Sequence, residues 1–403
     1  MMRAAQAKRI VSALAALAAL VAGLAISLGA SAQGKPVVIG VAMAQTGFLS
    51  DLAAGTQKAL ELWVEQVNAA GGLLGRPVEL KVVDDGSDAT RSTELYEKLV
   101  KEDRADLLIG SFGSAATSMA AAVAERNRRV KVNASGPSAE IHRRVYRYLF
   151  QVPPPSDKTL AGVLPIAEKF GLKTITVTAR DDGQAAPLLE QLRREAVKRP
   201  VEIRPPMPYT QDPVLALVPF AKRLASSNPD VIVSPATAHD AADLLRGLKA
   251  AGYTPRLFVA GGVIQPEYIR LVGQDAEYSV GYSSYEPRAR TPGNADFVRA
   301  YRAKYSLAPD FHAACGWAAG KVIEAAVAKA GTLDQEKLRA AFASLELPTV
   351  LGGYKVAADG SQLAATAFLV QILKGRREVI WPEAYRSAEP VLPAPDWNRR
   401  KPL

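Results

Sequence analysis

Apolar residues along the chain fall into two alternating rhythms. Val37 to Val41 is an unbroken apolar run, the pattern of a strand buried on both faces. Leu60, Trp63, Val64 and Val67 then follow at i, i+3, i+4 and i+7, one face of a helix, and Gly71-Gly72 stops it. Val78 to Val83 predicts a second strand, Leu95, Leu99 and Val100 a second helix, and Leu107 to Ile109 a third strand. This is βαβαβ, which implies a parallel sheet covered by helices on both faces.

The same grammar restarts after VPPPSD, Val152 to Asp157. Ile175 to Val177, Val201 to Ile203 and Val231 to Val233 read as strands, Leu188 to Ala196 as a helix, and Ala241, Leu244, Leu245 and Leu248 as a helical face. Two α/β units therefore share the chain, without a fixed-period repeat of solenoid type. Phe368 to Leu373, KGRR and Glu378 to Trp381 predict a hairpin, and the Pro-rich tail from Glu389 shows no core pattern.

The first residues have a different character. Arg3, Lys8 and Arg9 precede an Ala/Leu-rich run that ends in Ala30-Ser31-Ala32. Residues 1–32 read as a secretory signal peptide cleaved near Ala32/Gln33, with an uncleaved membrane anchor as the competing reading. No Cys follows this segment to accept a lipid, so the mature chain is expected free in the periplasm. The single Cys315 forbids an intrachain disulfide, and stability must come from apolar cores. With 403 residues, 48% of them hydrophobic, the chain has material for two such cores.

The formal charge is +10, and losing Arg3, Lys8 and Arg9 leaves 10 − 3 = +7. The basic clusters are Arg126, Arg128, Arg129 and Lys131, then Arg143, Arg144 and Arg147, then Arg399, Arg400 and Lys401. They read as solvated faces or as contacts to an anionic partner or membrane surface. Export and the lack of interleaved aromatics argue against nucleic acid.

Catalytic patterns are missing. His142, His239 and His312 each lack a second His or Cys at metal-ligand spacing, and there is no G-x-S-x-G, Walker A or G-x-G-x-x-G sequence. The expectation is a protein that is not an enzyme and carries no cofactor or metal. Asp84, Asp85 and Asp88 in VVDDGSD offer acid/base chemistry or, on the plainer reading, turns and caps. In DLLIGSFGSAATSMAAAVA, Asp106 to Ala124, a strand hands over to Ser114, Thr117 and Ser118 at a helix start. Such a start suits an anion at the carboxyl end of a parallel sheet, and Ser114 equally reads as a helix cap.

IGVAMAQTG, NAAGGLLGRPVELKVVDDGSD, LLIGSFGSAAT, NPDVIV, LLRGLKAAGY and FVRAYRAKY together resemble the type I periplasmic binding proteins, and within them the branched-chain amino acid binding group of ABC importers. The resemblance runs from about Pro36 to Trp381. It implies an α/β fold of two Rossmann-like lobes with parallel-sheet cores, joined by three hinge crossings. Carried onto this chain, the crossings fall near Gln151 to Pro154, Val280 to Ser284 and Thr349 to Gly352. Lobe 1 is then 35–152 and 283–348, lobe 2 is 153–282 and 349–385, and 386–403 is a Pro-rich tail.

The resemblance also implies ligand residues. The Ser and small-residue loop that hold a ligand carboxylate match Ser114 and, in NASGPS, Ser135, Gly136 and Ser138. In the second lobe two family tyrosines fall near Gln184 and Thr237. The acidic residue that receives an amino group falls at Gly261 or Gly262, where this chain has no carboxylate. A buried ammonium without an anion costs several kcal/mol, so amino acid specificity is in doubt while the carboxylate half survives. Phe48, Tyr282, Phe311 and His312 are candidate walls, with core packing as the alternative. The function expected is a periplasmic substrate-binding protein that is monomeric, binds a small carboxylate-bearing ligand and delivers it to ABC permease subunits in the inner membrane. The alternative is a ligand sensor partnering a membrane receptor or sensor kinase.

Overall fold

The computed structural model describes residues 34–181, 185–209 and 213–400. Its first sheet has five parallel strands in the order β2-β1-β3-β4-β5: β1 Val37–Met43, β2 Val78–Asp84, β3 Leu107–Ile109, β4 Lys131–Asn133 and β5 Leu149–Gln151. Helices α1 Ser50–Ala69, α2 Ser92–Lys101 and α3 Ser114–Arg126 connect the first four strands. Six of the seven β1 residues are buried, as a strand covered on both faces requires.

The second sheet has seven strands in the order β14-β13-β10-β9-β8-β6-β7. Strands β6 Thr174–Val177, β7 Glu202–Ile203, β8 Val231–Ser234, β9 Leu257–Ala260 and β10 Val280–Ser283 run parallel. Helices α4 Val163–Lys169, α5 Ala185–Ala196, α6 Pro213–Ser226, α7 Ala238–Ala250 and α8 Pro266–Val272 belong to this half. After β10 the chain returns to the first half as α9 Asn294–Tyr305, α10 Phe311–Ala330 and α11 Gln335–Ala343. A two-stranded ribbon follows, β11 Leu347–Thr349 with β12 Gly352–Tyr354. The chain then closes the second sheet with the antiparallel hairpin β13 Phe368–Leu373 and β14 Arg376–Trp381. Lys374 and Gly375, both at positive φ, form its two-residue turn, as KGRR predicts.

The return of α10 is made by close packing on α1. A Cβ on Gly316 would lie 2.6 Å from the Thr56 carbonyl oxygen, and one on Gly320 would lie 2.4 Å from the Trp63 ring. Asp310 starts α10 by accepting the Ala313 N–H at 2.8 Å, and Gly331 at φ 63° ends it. One core accordingly joins β1, β3 and β4 to Phe297, Trp317 and Phe342, and a separate one lies around β6, β8 and β9. Val350 and Leu351, within the Thr349 to Gly352 crossing expected from the resemblance, and Tyr354 and Val356, beyond it, still pack in the first core.

The tail differs from its sequence reading. It has no periodicity, yet it docks on the second half through single anchors. Trp397 donates its indole N–H to the Tyr253 carbonyl at 3.0 Å, and the Arg400 guanidinium stacks 3.7 Å from the Trp397 ring centre. Arg400 also donates to the carbonyls of Asp275 and Glu277. Isolated contacts of this kind leave no hydrophobic pattern to read.

Lys131 is the one lysine among the largest fully buried side chains. Its Nζ has no hydrogen-bond partner and stands 4.9 Å from the centre of the Tyr96 ring. Burial without a counter-charge pushes its pKa down to about 7. The unfolded chain holds this proton up to about pH 10.4, so across the window from about 7 to about 10 the unfolded state binds more protons and stability rises with pH. Below about pH 7 the burial penalty is fully present, on the order of several kcal/mol. Lys131→Met should therefore be more stable than the parent at neutral pH, with an advantage that shrinks toward pH 10. Denaturant titrations of both proteins across this range check it, and parallel stability curves would refute it.

Candidate functional site

The carboxyl end of β3 turns through Gly110 and Gly113, at φ 80° and 83°, conformations that side chains with a Cβ rarely adopt. Gly113 is the cap residue of α3, and no side chain caps that helix. Ser114 therefore stands one residue inside the helix, and the capping alternative does not describe it. Its hydroxyl oxygen accepts the Ser138 N–H at 3.3 Å, which leaves its own O–H to be donated.

The loop after β4 is stitched to the loop after β3. Ser135 donates its hydroxyl to the Ser111 carbonyl at 2.5 Å. Asn133 accepts the Gly136 N–H and donates back to the Gly136 carbonyl, both at 2.7 Å. Gly136 is pressed on α3, where a Cβ would lie 2.8 Å from Thr117 Oγ1. Ser138 caps the short helical turn 139–144 by accepting the Glu140 N–H. Ser114, Ser135, Gly136 and Ser138 are thus brought together on one edge of the first sheet. Asn133, which holds that loop, was missed because a buried Asn at a strand end resembles any turn residue.

Of the candidate walls, His312 and Phe311 meet, with ring centres 5.3 Å apart, and His312 lies 5.0 Å from Phe112 in the loop before Ser114. Burial lowers the His312 pKa against the opposing pull of Asp310, so the imidazole is neutral at neutral pH, with Nδ1 buried and unpartnered. Phe48 is 84% exposed, so the alternative of core packing does not describe it. The VVDDGSD carboxylates do turn and cap work: Asp84 accepts Gln45 N–H, Thr46 N–H and the Thr46 hydroxyl, and Asp88 caps a helical turn at Thr90. No group of three or more His, Cys, Asp or Glu among the described residues could hold a metal ion.

The second sheet builds its own edge. A cavity of about 370 Å³ opens where β6 and β8 end, lined by Arg180, Tyr209, Ala236, Thr237 and Asp240 among others. The Arg180 guanidinium grips Asp240 with both arms, Nε to Oδ2 at 2.8 Å and Nη2 to Oδ1 at 2.5 Å. Thr237 caps α7 by accepting the Asp240 N–H at 3.3 Å. Backbone bonds Tyr209 N–H to Ala179 O and Asp181 N–H to Tyr209 O fix the chain on either side of Arg180. Gly262 abuts this corner: a Cβ there would lie 2.3 Å from the Thr237 carbonyl carbon. Gly261 is closed too, 2.8 Å from the Tyr282 hydroxyl, whose pKa burial pushes up to about 12. Of the two positions where the resemblance puts an acidic residue, backbone packing leaves no room for a side chain at Gly262, and at Gly261 the Tyr282 hydroxyl stands in the way. Gln184 lies outside the described residues.

Arg180 and Asp240 were not singled out in the sequence. Their signal is a cation directly after a strand, in VTARDD, and an acid in the first turn of the helix two crossovers later. Nothing in the sequence pairs them without the fold.

Two sheets of mainly parallel strands with separate cores, each bearing a polar edge at its strand carboxyl ends, define a two-lobed binding protein. The periplasmic binding protein family matches residues 36–377, and the chain belongs to that family. That family is one of binding proteins, and the relatives and solved structures similar to this chain carry names from branched-chain amino acid binding and transport. It is 24% identical over 361 residues to Leu/Ile/Val-binding protein homolog 8 of Brucella abortus (strain 2308), covering 84% of this chain and 88% of that one. A Rhodospirillum rubrum protein assigned to branched-chain amino acid ABC transport superposes with TM-score 0.77 at 20% identity, covering 86% of this chain and 100% of that one. A Rhodopseudomonas palustris ABC-transporter solute binding protein, solved in complex with benzoate, has TM-score 0.62 at 20% identity, covering 89% and 98%.

Two substitutions separate site from scaffold. Ser114→Ala removes a hydroxyl that caps no helix and accepts only one long bond, from the Ser138 N–H at 3.3 Å, so it should weaken a carboxylate ligand by roughly 1.5 to 3 kcal/mol, tenfold or more, while the apo melting point moves little. Calorimetric titration and apo melting of the same variant check this, and unchanged affinity would remove Ser114 from the site. Gly262→Ala drives a methyl into the Thr237 backbone and should cost about 1 to 3 kcal/mol of stability. A variant that melts like the parent would show that this corner yields.

Proposed function

We propose that this protein is the periplasmic substrate-binding component of an ABC importer and that it holds a small carboxylate-bearing ligand between its lobes. The observation that carries the reading is the cradle at the start of α3. There Ser114 keeps an O–H to donate while Ser135, Asn133 and Gly136 satisfy one another and hold the loop in place. The first-turn N–H groups of α3 add partial positive charge suited to an anion. The names of the Brucella relative and the ligand of the Rhodopseudomonas protein have one chemical group in common, a carboxylate. Export through the leader ending near Ala32 belongs to the same proposal. So do delivery to inner-membrane permeases and the lobe limits 35–152 with 283–348 and 153–282 with 349–385.

The test is a thermal-shift screen of carboxylic acids and their amides, followed by small-angle scattering with the best ligand. A ligand that binds the folded state at about a hundred times its Kd stabilises by about 2.7 kcal/mol, readily seen as a raised melting point. Acids should shift the melting point where their amides do not, and saturation should shrink the radius of gyration as the lobes close. Equal shifts by acid and amide would overturn the carboxylate reading, and an unchanged radius would leave a rigid cleft.

A further inference from the structure

We infer that the Tyr282 hydroxyl is the second lobe's hydrogen-bond donor to the ligand, and that the ligand is a 2-oxo acid, with an oxo oxygen where an amino acid carries its ammonium. This rests on the carboxylate reading above and names the ligand class within it. Tyr282 is the third residue of β10, and its ring packs on the core around β6, β8 and β9, which fixes the direction of the side chain. The hydroxyl reaches the place of the missing Gly261 side chain, where a Cβ would lie 2.8 Å from it and 3.4 Å from the Ala236 carbonyl oxygen. Gly261 directly follows β9, and Ala236 stands just past the end of β8. The hydroxyl is therefore at the carboxyl edge of the parallel strands, the edge at which open parallel sheets take their ligands. In the order β10-β9-β8-β6, strands β9 and β8 separate it from the Arg180 corner.

The hydroxyl is uncommitted. Among the described residues it has no hydrogen-bond partner, and the side chain is half-buried with its oxygen left open. Burial holds the Tyr282 pKa up at about 12, so the group keeps its proton through the neutral range and is a donor throughout it. The resemblance puts the residue that receives an α-ammonium at Gly261 or Gly262, and it is to Gly261 that Tyr282 brings its O–H. A carboxylate there would accept from an ammonium, whereas a phenol O–H donates and calls for an acceptor. The neutral phenol oxygen also leaves the charge of an ammonium uncompensated, while an oxo oxygen accepts the O–H and brings no charge to bury. Exchange of amino for oxo leaves the rest of the ligand unchanged, including the carboxylate that Ser114 receives.

The experiment is calorimetric titration of the full mature protein with acids that differ only in the oxo group: 4-methyl-2-oxopentanoate against 4-methylpentanoate and phenylpyruvate against 3-phenylpropanoate, with leucine beside them. The parent should bind each 2-oxo acid about tenfold tighter than its plain counterpart, as one added hydrogen bond to an unpaired O–H implies. Tyr282→Phe keeps the ring and removes only the hydroxyl, so its apo melting point should match the parent's while the preference collapses toward unity. Gly261→Ala sets a methyl against the hydroxyl and should reduce the preference in the same direction. Equal binding of both members of each pair by the parent, with affinity still dependent on Ser114, overturns this inference and leaves the carboxylate reading standing. A preference that survives in Tyr282→Phe, or leucine bound more tightly than 4-methyl-2-oxopentanoate, also overturns it. Failure of every acid to bind overturns both.

Discussion

The contact of Trp63 with Gly320 decides how this chain is threaded. Thr56 on α1 and His312 on α10 stand 256 residues apart and share a hydrogen bond, so the first lobe is complete only when the chain has left it, built the second sheet and come back. The approach depends on the absence of side chains. At Gly316 and Gly320 an added methyl would penetrate the Thr56 backbone and the Trp63 ring, and at Gly55 it would reach the Asp310 carboxylate that caps α10. Close helix packing of this kind tolerates little added volume. The crossings between lobes follow from it, because a segment docked on α1 can reach β13 only by passing over the gap again.

Those crossings are bonded to one another. Gln362, buried beyond β12, donates to the Val152 carbonyl at 3.0 Å, and Gln151 N–H bonds the Gly360 carbonyl at 2.9 Å. The outgoing strand β5 and the last return segment are thus laced side by side. If the lobes close as proposed, two segments bonded in this way would move together.

Much of the fold was legible because parallel strands buried on both faces leave unbroken apolar runs, and Val37 to Val41, Leu107 to Ile109 and Val231 to Val233 each became strands. The hairpin at Lys374-Gly375 was legible from its turn chemistry. What periodicity could not show was membership: nothing in the pattern of α10 says that it belongs with α1, and the resemblance supplied that. The cluster after β3 and β4 was legible because small and hydroxyl residues after a strand are a visible signature. The pairing across the second sheet's edge was not, since Arg180 and Asp240 are ordinary charged residues until two crossovers bring them within hydrogen-bond distance. The tail escaped for a related reason, its docking resting on scattered contacts such as those of Val391, Trp397 and Arg400.

The two edges are built on different physics, and that difference bears on closure. On the first lobe the donors are neutral hydroxyl and backbone groups whose neighbours are already satisfied, so they gain from an anion without needing one. At the Arg180 corner of the second lobe the polar groups are charged and already committed: both Asp240 oxygens hold Arg180, so that corner of the cavity is ordered during folding. A ligand can favour the closed form only by the affinity it gains there over the open one. A hydroxyl that keeps a hydrogen to donate, as Ser114 does, supplies such a gain more readily than a charge pair whose partners already hold each other.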